Sequence, residues 1–307
     1  MLNSQANRGH LAMLAFSACV AGSFSLGGLV ANEIAPDVMT TLRLWLAAVV
    51  LGAVALGTTG LPRRAFQGAW RYGLLGLLYG LYFVLMFEGL KTAPPVSAAA
   101  VFTMTPLMAA GFGWLLLRQK LTGRMALALA FGAAGAVWVI FRADIAAVLR
   151  FQIGPGERIY FFGCMAHAFY APLVRRLNRG EAALVSSFGT VVAGALLLTV
   201  WSWRDLWAVD WAALPAIVWI TLAYLTVFAT AASFVLMQYA SLRLPAAKVM
   251  AYTYLVPSWV ILWQLALGGA VPVVWVLAGV GLTVLALGLL LRDEAAQNPL
   301  SGLANAP

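Results

Sequence analysis

The chain has 307 residues, 63% of them hydrophobic and only 9% charged, with a mean hydropathy of +0.92. So little charge cannot keep a folded surface in water, which excludes a soluble globular domain and makes lipid the solvent. The formal net charge of +9 suggests nucleic acid only where basic residues form one face; here they gather in alternate connections instead.

A bilayer crossing needs about 20 apolar residues. Ten such stretches are present, at roughly 10–30, 38–58, 71–90, 94–116, 121–141, 157–176, 182–202, 212–238, 245–266 and 271–291. The first has no clear cleavage motif after it and reads as a retained span. It carries Cys19 and the small residues Gly22, Ser23, Ser25, Gly27 and Gly28. The second bears Arg43 near its start, which reads as an anchor at the external end.

The third span places Leu75, Tyr79, Tyr82 and Met86 on one helical stripe, and Gly73, Gly76 and Gly80 on a face suited to close helix packing. Pro106 and Pro257 lie well inside the fourth and ninth spans, where each removes a helix hydrogen bond. Such breaks serve as hinges or as packing kinks. The sixth span holds Cys164, His167 and Tyr170, with His167 close to mid-membrane, where ionisable groups face the bundle interior. Either a ligand role or a neutral imidazole bonded to its neighbours fits.

In the eighth span Thr226, Thr230, Ser233 and Met237 form a stripe. Hydroxyls gathered at helical spacing favour an inward face; the alternative is that they bond back to their own helix while the tyrosines of the third span reach the interface. In the ninth, Lys248 and Tyr252 share a face, and the ammonium either snorkels to the cytoplasmic surface or enters a cavity. Trp201, Trp203, Trp207 and Trp211 cluster around one connection as an interfacial belt.

The connections are too short for a further domain. Thirteen basic residues, among them Arg63, Arg64, Arg118, Lys120, Arg175, Arg176 and Arg179, fall on one side, against Lys91, Arg142, Arg150, Arg158 and Arg204 on the other. The positive-inside rule then puts both termini in the cytoplasm.

Phe83-Val84-Leu85-Met86 recurs as Phe234-Val235-Leu236-Met237, 151 positions later, and Pro94, Ala100 and Pro106 fall on Pro245, Ala251 and Pro257 without a gap. The same offset matches Tyr79 and Tyr82 with Thr230 and Ser233. The unit holds five spans, an odd number, so the copies insert upside down relative to each other. The expected fold is an all-α integral membrane protein of ten transmembrane helices in two inverted five-helix repeats, 1–146 and 147–292, with a cytoplasmic tail at 293–307.

Leu90-Lys91-Thr92-Ala93-Pro94-Pro95-Val96-Ser97 through Thr105-Pro106-Leu107, with Trp114-Leu115-Leu116-Leu117-Arg118-Gln119-Lys120-Leu121 and Phe131-Gly132-Ala133-Ala134-Gly135, resembles the EamA type of the drug/metabolite transporter superfamily. One departure stands out: the family's Gly-Glu-Arg-Leu is here Arg118-Gln119-Lys120-Leu121. Within the family the chain is most similar to the YddG-type amino-acid exporters of bacteria. The resemblance implies two five-span halves in the inner membrane and outward transport by alternating access. The cargo it implies is small metabolites, amino acids including aromatic and neutral ones, the alternative being a drug, nucleoside or sugar derivative.

Tyr79, Tyr82, His167, Tyr170, Thr230, Ser233, Lys248 and Tyr252 are the expected cavity residues, and Pro106 and Pro257 the expected hinges. No phosphate loop, metal-ligand spacing or Ser/His pair is found, so no enzyme, cofactor, metal or ATP coupling is expected. The partners expected are the bilayer and a small-molecule substrate, with neither nucleic acid nor an obligate protein partner.

Overall fold

The computed structural model describes residues 2–119, 122–141, 143–149, 153–269 and 273–292. Lys120, Arg142 and Arg150 of the charge count, Leu121 of the family motif and the tail at 293–307 lie outside the described residues.

The described chain is helical, with α1 at Leu2–Val30, α2 at Pro36–Gly57 and α3 at Trp70–Leu90. The fourth apolar stretch is two helices, α4 (Pro95–Phe102) and α5 (Thr105–Leu117), followed by α6 (Gly123–Ile140) and a short surface helix α7 (Ile145–Leu149). Next come α8 (Pro155–Leu177), α9 (Ala183–Trp201) and the tryptophan-bearing α10 (Trp203–Ala208). The eighth stretch is α11 (Ala216–Thr226), a π turn (Val227–Ala232) and α12 (Ser233–Ser241). The ninth is α13 (Ala246–Ala251), a 3₁₀ turn (Tyr252–Leu255) and α14 (Val256–Ala266); α15 (Val274–Arg292) closes the bundle.

Prolines set many of these starts. Pro36, Pro95 and Pro155 occupy first turns, and Pro94, Pro215 and Pro245 the cap before them. There the missing N–H costs nothing, because no acceptor exists for it. Inside a span the same residue breaks the helix. Pro106 sits in the first turn of α5, just after the interruption at Thr103–Met104, and Pro257 in the first turn of α14, after the 3₁₀ turn. The breaks meet: Thr105 Oγ1 lies 3.1 Å from Thr253 Oγ1.

Among the described residues eight segments are long and apolar enough to cross a membrane. Of the ten expected stretches, the 23-residue α8 is not among them, because it carries Glu157 and Arg158 at one end and Arg175 and Arg176 at the other. In α15 the run Val274–Leu289 is apolar. Trp201, Trp203 and Trp207 are exposed, as interfacial rings are.

Helix α3 packs between α8 and α9; α12 packs on α1, α11 on α2, α2 on α9 and α6 on α15. At the α3–α9 contact Gly76 abuts the Gly194 backbone so closely that a Cβ would collide with it. Gly80 shares the face against Leu198, but Gly73 faces open space, so the expected three-glycine contact is made by two. Cys19 and Cys164 are free thiols.

Candidate substrate site

The tyrosine face of α3 turns inward. Tyr79 and Tyr82 are 3% and 1% exposed, which overturns the interfacial alternative. Tyr79 meets Phe234 of α12 edge-on at 4.0 Å and lies 5.6 Å from Tyr170 of α8. Tyr82 stacks on His167 at 4.3 Å, and its hydroxyl accepts a 3.2 Å hydrogen bond from Tyr160. Phe102, at the end of α4, closes the group 5.4 Å from the imidazole. Rings at these separations gain edge-on and offset contacts beyond their burial. His167 is buried, and among the described residues neither of its ring nitrogens has a hydrogen-bond partner. Tyr170 accepts a 2.7 Å bond from Gln238, whose own carbonyl oxygen is unpaired among the described residues.

Arg43 adjoins this aromatic wall. It is wholly buried, not an external anchor; seven residues separate it from Pro36 at the start of α2, about 10 Å of helix. Its Nε and Nη2 donate to Thr230 Oγ1 at 3.0 and 2.8 Å, and Nη2 also reaches the Ala229 carbonyl at 3.3 Å. The guanidinium carbon rests 3.6 Å over the Phe83 ring, a cation–π contact. Nη1 has no partner. In the π turn the Ala229 carbonyl accepts both Arg43 (3.3 Å) and the Ser233 hydroxyl (2.8 Å).

Thus α2, α3, α8 and the π turn with α12 bring together Tyr79, Tyr82, His167, Tyr170, Thr230 and Ser233. Ser233 does bond back to its own helix, as one of the two sequence readings held, whereas Thr230 holds Arg43. Lys248 and Tyr252 are buried as well, which corrects the snorkelling reading, and the Tyr252 ring stands away from the cluster. The Tyr252 ring lies 5.9 Å from His10, while His167 is reached by Phe16, six residues or about 9 Å further along α1.

Sequence reasoning passed over Tyr160, Gln238 and the depth of Arg43. Tyr160 had a usable signal, being seven residues before His167 and so on its face. It also passed over Glu157, buried in the first turn of α8, where Ser97 donates to it at 2.8 Å.

A second buried arginine, Arg71, holds the opposite end of α3. It donates to the carbonyls of Leu177 (2.6 Å), Gln67, Gly68 and Ala65 and to Glu181 (2.8 Å). Partial burial pushes the Glu181 carboxyl up, but hydrogen bonds from Arg71 and the Arg179 N–H outweigh this and hold it below its usual range. A cleft of about 440 Å³ opens beside this clamp, lined by Arg64, Gln67 and Arg179 among others.

A many-helix bundle with lipid-length apolar segments and a polar centre defines a multi-pass membrane protein. The profile of the EamA-like transporter family matches residues 7–141 and again 155–292, so the chain belongs to that family of membrane transporters. The chain is 26% identical over 292 residues to a protein of Bacillus subtilis (strain 168) described as the uncharacterized transporter YyaM, spanning 94% of this chain and 95% of that one. A crystal structure at 21% identity superposes with a TM-score of 0.70 over 96% of this chain and 99% of the other, a likeness of fold.

Proposed function

We propose that the protein is a ten-span inner-membrane exporter whose inverted halves, 1–146 and 147–292, move small metabolites outward by alternating access. Both termini are cytoplasmic in this reading. Amino acids, including aromatic and neutral ones, are the cargo, as in the YddG-type exporters. The observation that carries it is the buried cluster of Tyr79, Tyr82, His167, Tyr170 and Thr230 where α3 and α8 approach α2 and the π turn of the eighth span.

Packing supports the inverted arrangement. The contact of α3 with α8 has a counterpart in α12 with α1, that of α3 with α9 in α11 with α2, and that of α5 with α8 in α14 with α1. The twofold match of the family profile agrees with it. Tyr79, Tyr82, Tyr170 and His167 form an amphipathic wall for an apolar side chain. Thr230 and Ser233 stand on the facing helix, and Lys248 and Tyr252 line the cytoplasmic approach. Rocking is eased at the paired breaks beside Pro106 and Pro257, which share the Thr105–Thr253 contact. Transport requires none of the nucleophiles or metals of an enzyme, and no cofactor.

Purified protein in liposomes tests this. Labelled phenylalanine or a neutral aliphatic amino acid crosses faster than through empty vesicles; equal rates for a broad amino-acid panel would remove the cargo assignment.

A further inference from the structure

Arg43 carries a charge that the described protein does not answer. A guanidinium stays protonated in proteins. The described ion pairs are Arg71–Glu181 and Lys91–Glu88, neither of which involves it. Its partners are one hydroxyl, one carbonyl at 3.3 Å and the faces of Phe83 and Phe87. A buried cation without an anion is strongly unfavourable, and in a bundle crossing lipid such a group marks the path of a ligand.

We propose that Arg43 receives a carboxylate of the transported molecule, which makes a single negative charge the feature by which cargo is selected. This rests on the transport reading above. The geometry limits the mode of binding. Thr230 occupies the Nε side of the guanidinium, so the end-on edge, Nη1 with Nη2, is the one left for a carboxylate. Docking there satisfies the orphaned Nη1 and replaces the weakest contact, to Ala229 O, with a two-point, charge-assisted pair.

One guanidinium set against aromatic rings balances one charge. A phosphate dianion calls for more cations than this, so the fit is to a monoanionic carboxylate. The unpartnered nitrogens of His167 offer one donor and one acceptor to the cargo's remaining polar group, and the Tyr79–Tyr82 wall takes its side chain. Were Arg43 merely a pin between α2 and the π turn, its loss would weaken every ligand alike and leave the preference for acids untouched.

The test compares phenylalanine, phenylalaninamide and phenethylamine, which share a ring and differ in the carboxylate. In detergent, the melting temperature of the wild-type protein rises with phenylalanine and at least tenfold less sensitively with the amide and amine. Arg43→Gln abolishes that preference, and Arg43→Lys, which keeps the charge but loses the planar fork, weakens phenylalanine binding about tenfold and covers the case in which Gln prevents folding. Equal stabilisation by all three compounds, an unchanged preference in Arg43→Lys with Arg43→Gln folded and alike, no stabilisation by any of them, or protection by chloride at equal ionic strength would overturn the proposal. Flux in liposomes reads the other claim: carboxylate-selective binding without flux removes the transport reading and leaves the receptor, while flux indifferent to the carboxylate does the reverse.

Discussion

Arg71 and Arg43 are both buried, and the difference between their surroundings separates a staple from a receptor. Arg71 spends its donors on four backbone carbonyls and the Glu181 carboxylate, joining the connection before α3 to the one after α8. Arg43 reaches one hydroxyl and one carbonyl, and leaves Nη1 empty. Equal burial therefore does not mean equal purpose. A saturated guanidinium has nothing left to offer a ligand, and an undersupplied one is a standing cost that a ligand removes.

The comparison breaks first at Arg71. Arg71→Ala removes the cation from the partly buried Glu181 and strands the carbonyls it served, lowering stability by about 1–3 kcal/mol, read as a fall in melting temperature in detergent. Arg43→Gln, by contrast, costs cargo selectivity more than stability. A reversed ranking would merge the two arginines into one structural class.

Next comes Gly76→Val, at the contact that carries the tyrosine stripe. Its side chain meets the Gly194 backbone, and overpacking of this kind costs about 1–3 kcal/mol. Gly73→Val, facing open space on the same helix, serves as the control and leaves the melting temperature near that of the wild type.

Acid sharpens the staple. Because the folded Glu181 carboxyl is held below its ordinary value, its contribution is complete above the unfolded value of about 4.3. It is lost as pH falls through the lower, folded value. Melting temperatures from pH 7 to 3 show this loss, and Glu181→Gln flattens that part of the profile.

The smallest effect lies where the family motif departs. Arg118 closes α5 in the left-handed region, with φ 54° and ψ 28°, and it stands where the family has glycine. Arg118→Gly removes the Cβ penalty and raises stability by about 1 kcal/mol, with flux unchanged.

Much of this arrangement was legible in the sequence, because lipid demands long apolar runs and the 151-residue register tied Tyr79 and Tyr82 to Thr230 and Ser233. The breaks in the fourth and ninth spans were legible through Pro106 and Pro257, whose missing N–H acts whatever the surroundings. Arg43 was misplaced because a charge near the start of an apolar run looks the same whether it points to the interface or to a neighbouring helix. Only the position of Thr230 decides it. The π turn at Val227–Ala232 carries no proline or glycine to announce it. Lys248 misled for the opposite reason, since three residues after Pro245 is close enough to a helix end to snorkel, yet the packing of its neighbours buries it.

The central claim is that the polar cluster between α3 and the eighth span opens to both sides of the membrane in turn. Ser233→Cys, in a protein with Cys19 and Cys164 replaced by alanine, tests it with an impermeant thiol reagent applied to oriented vesicles. The account predicts that the thiol is modified from either face and that phenylalanine slows the reaction. A thiol that reacts from neither face, or from one face only whatever the cargo, would contradict it.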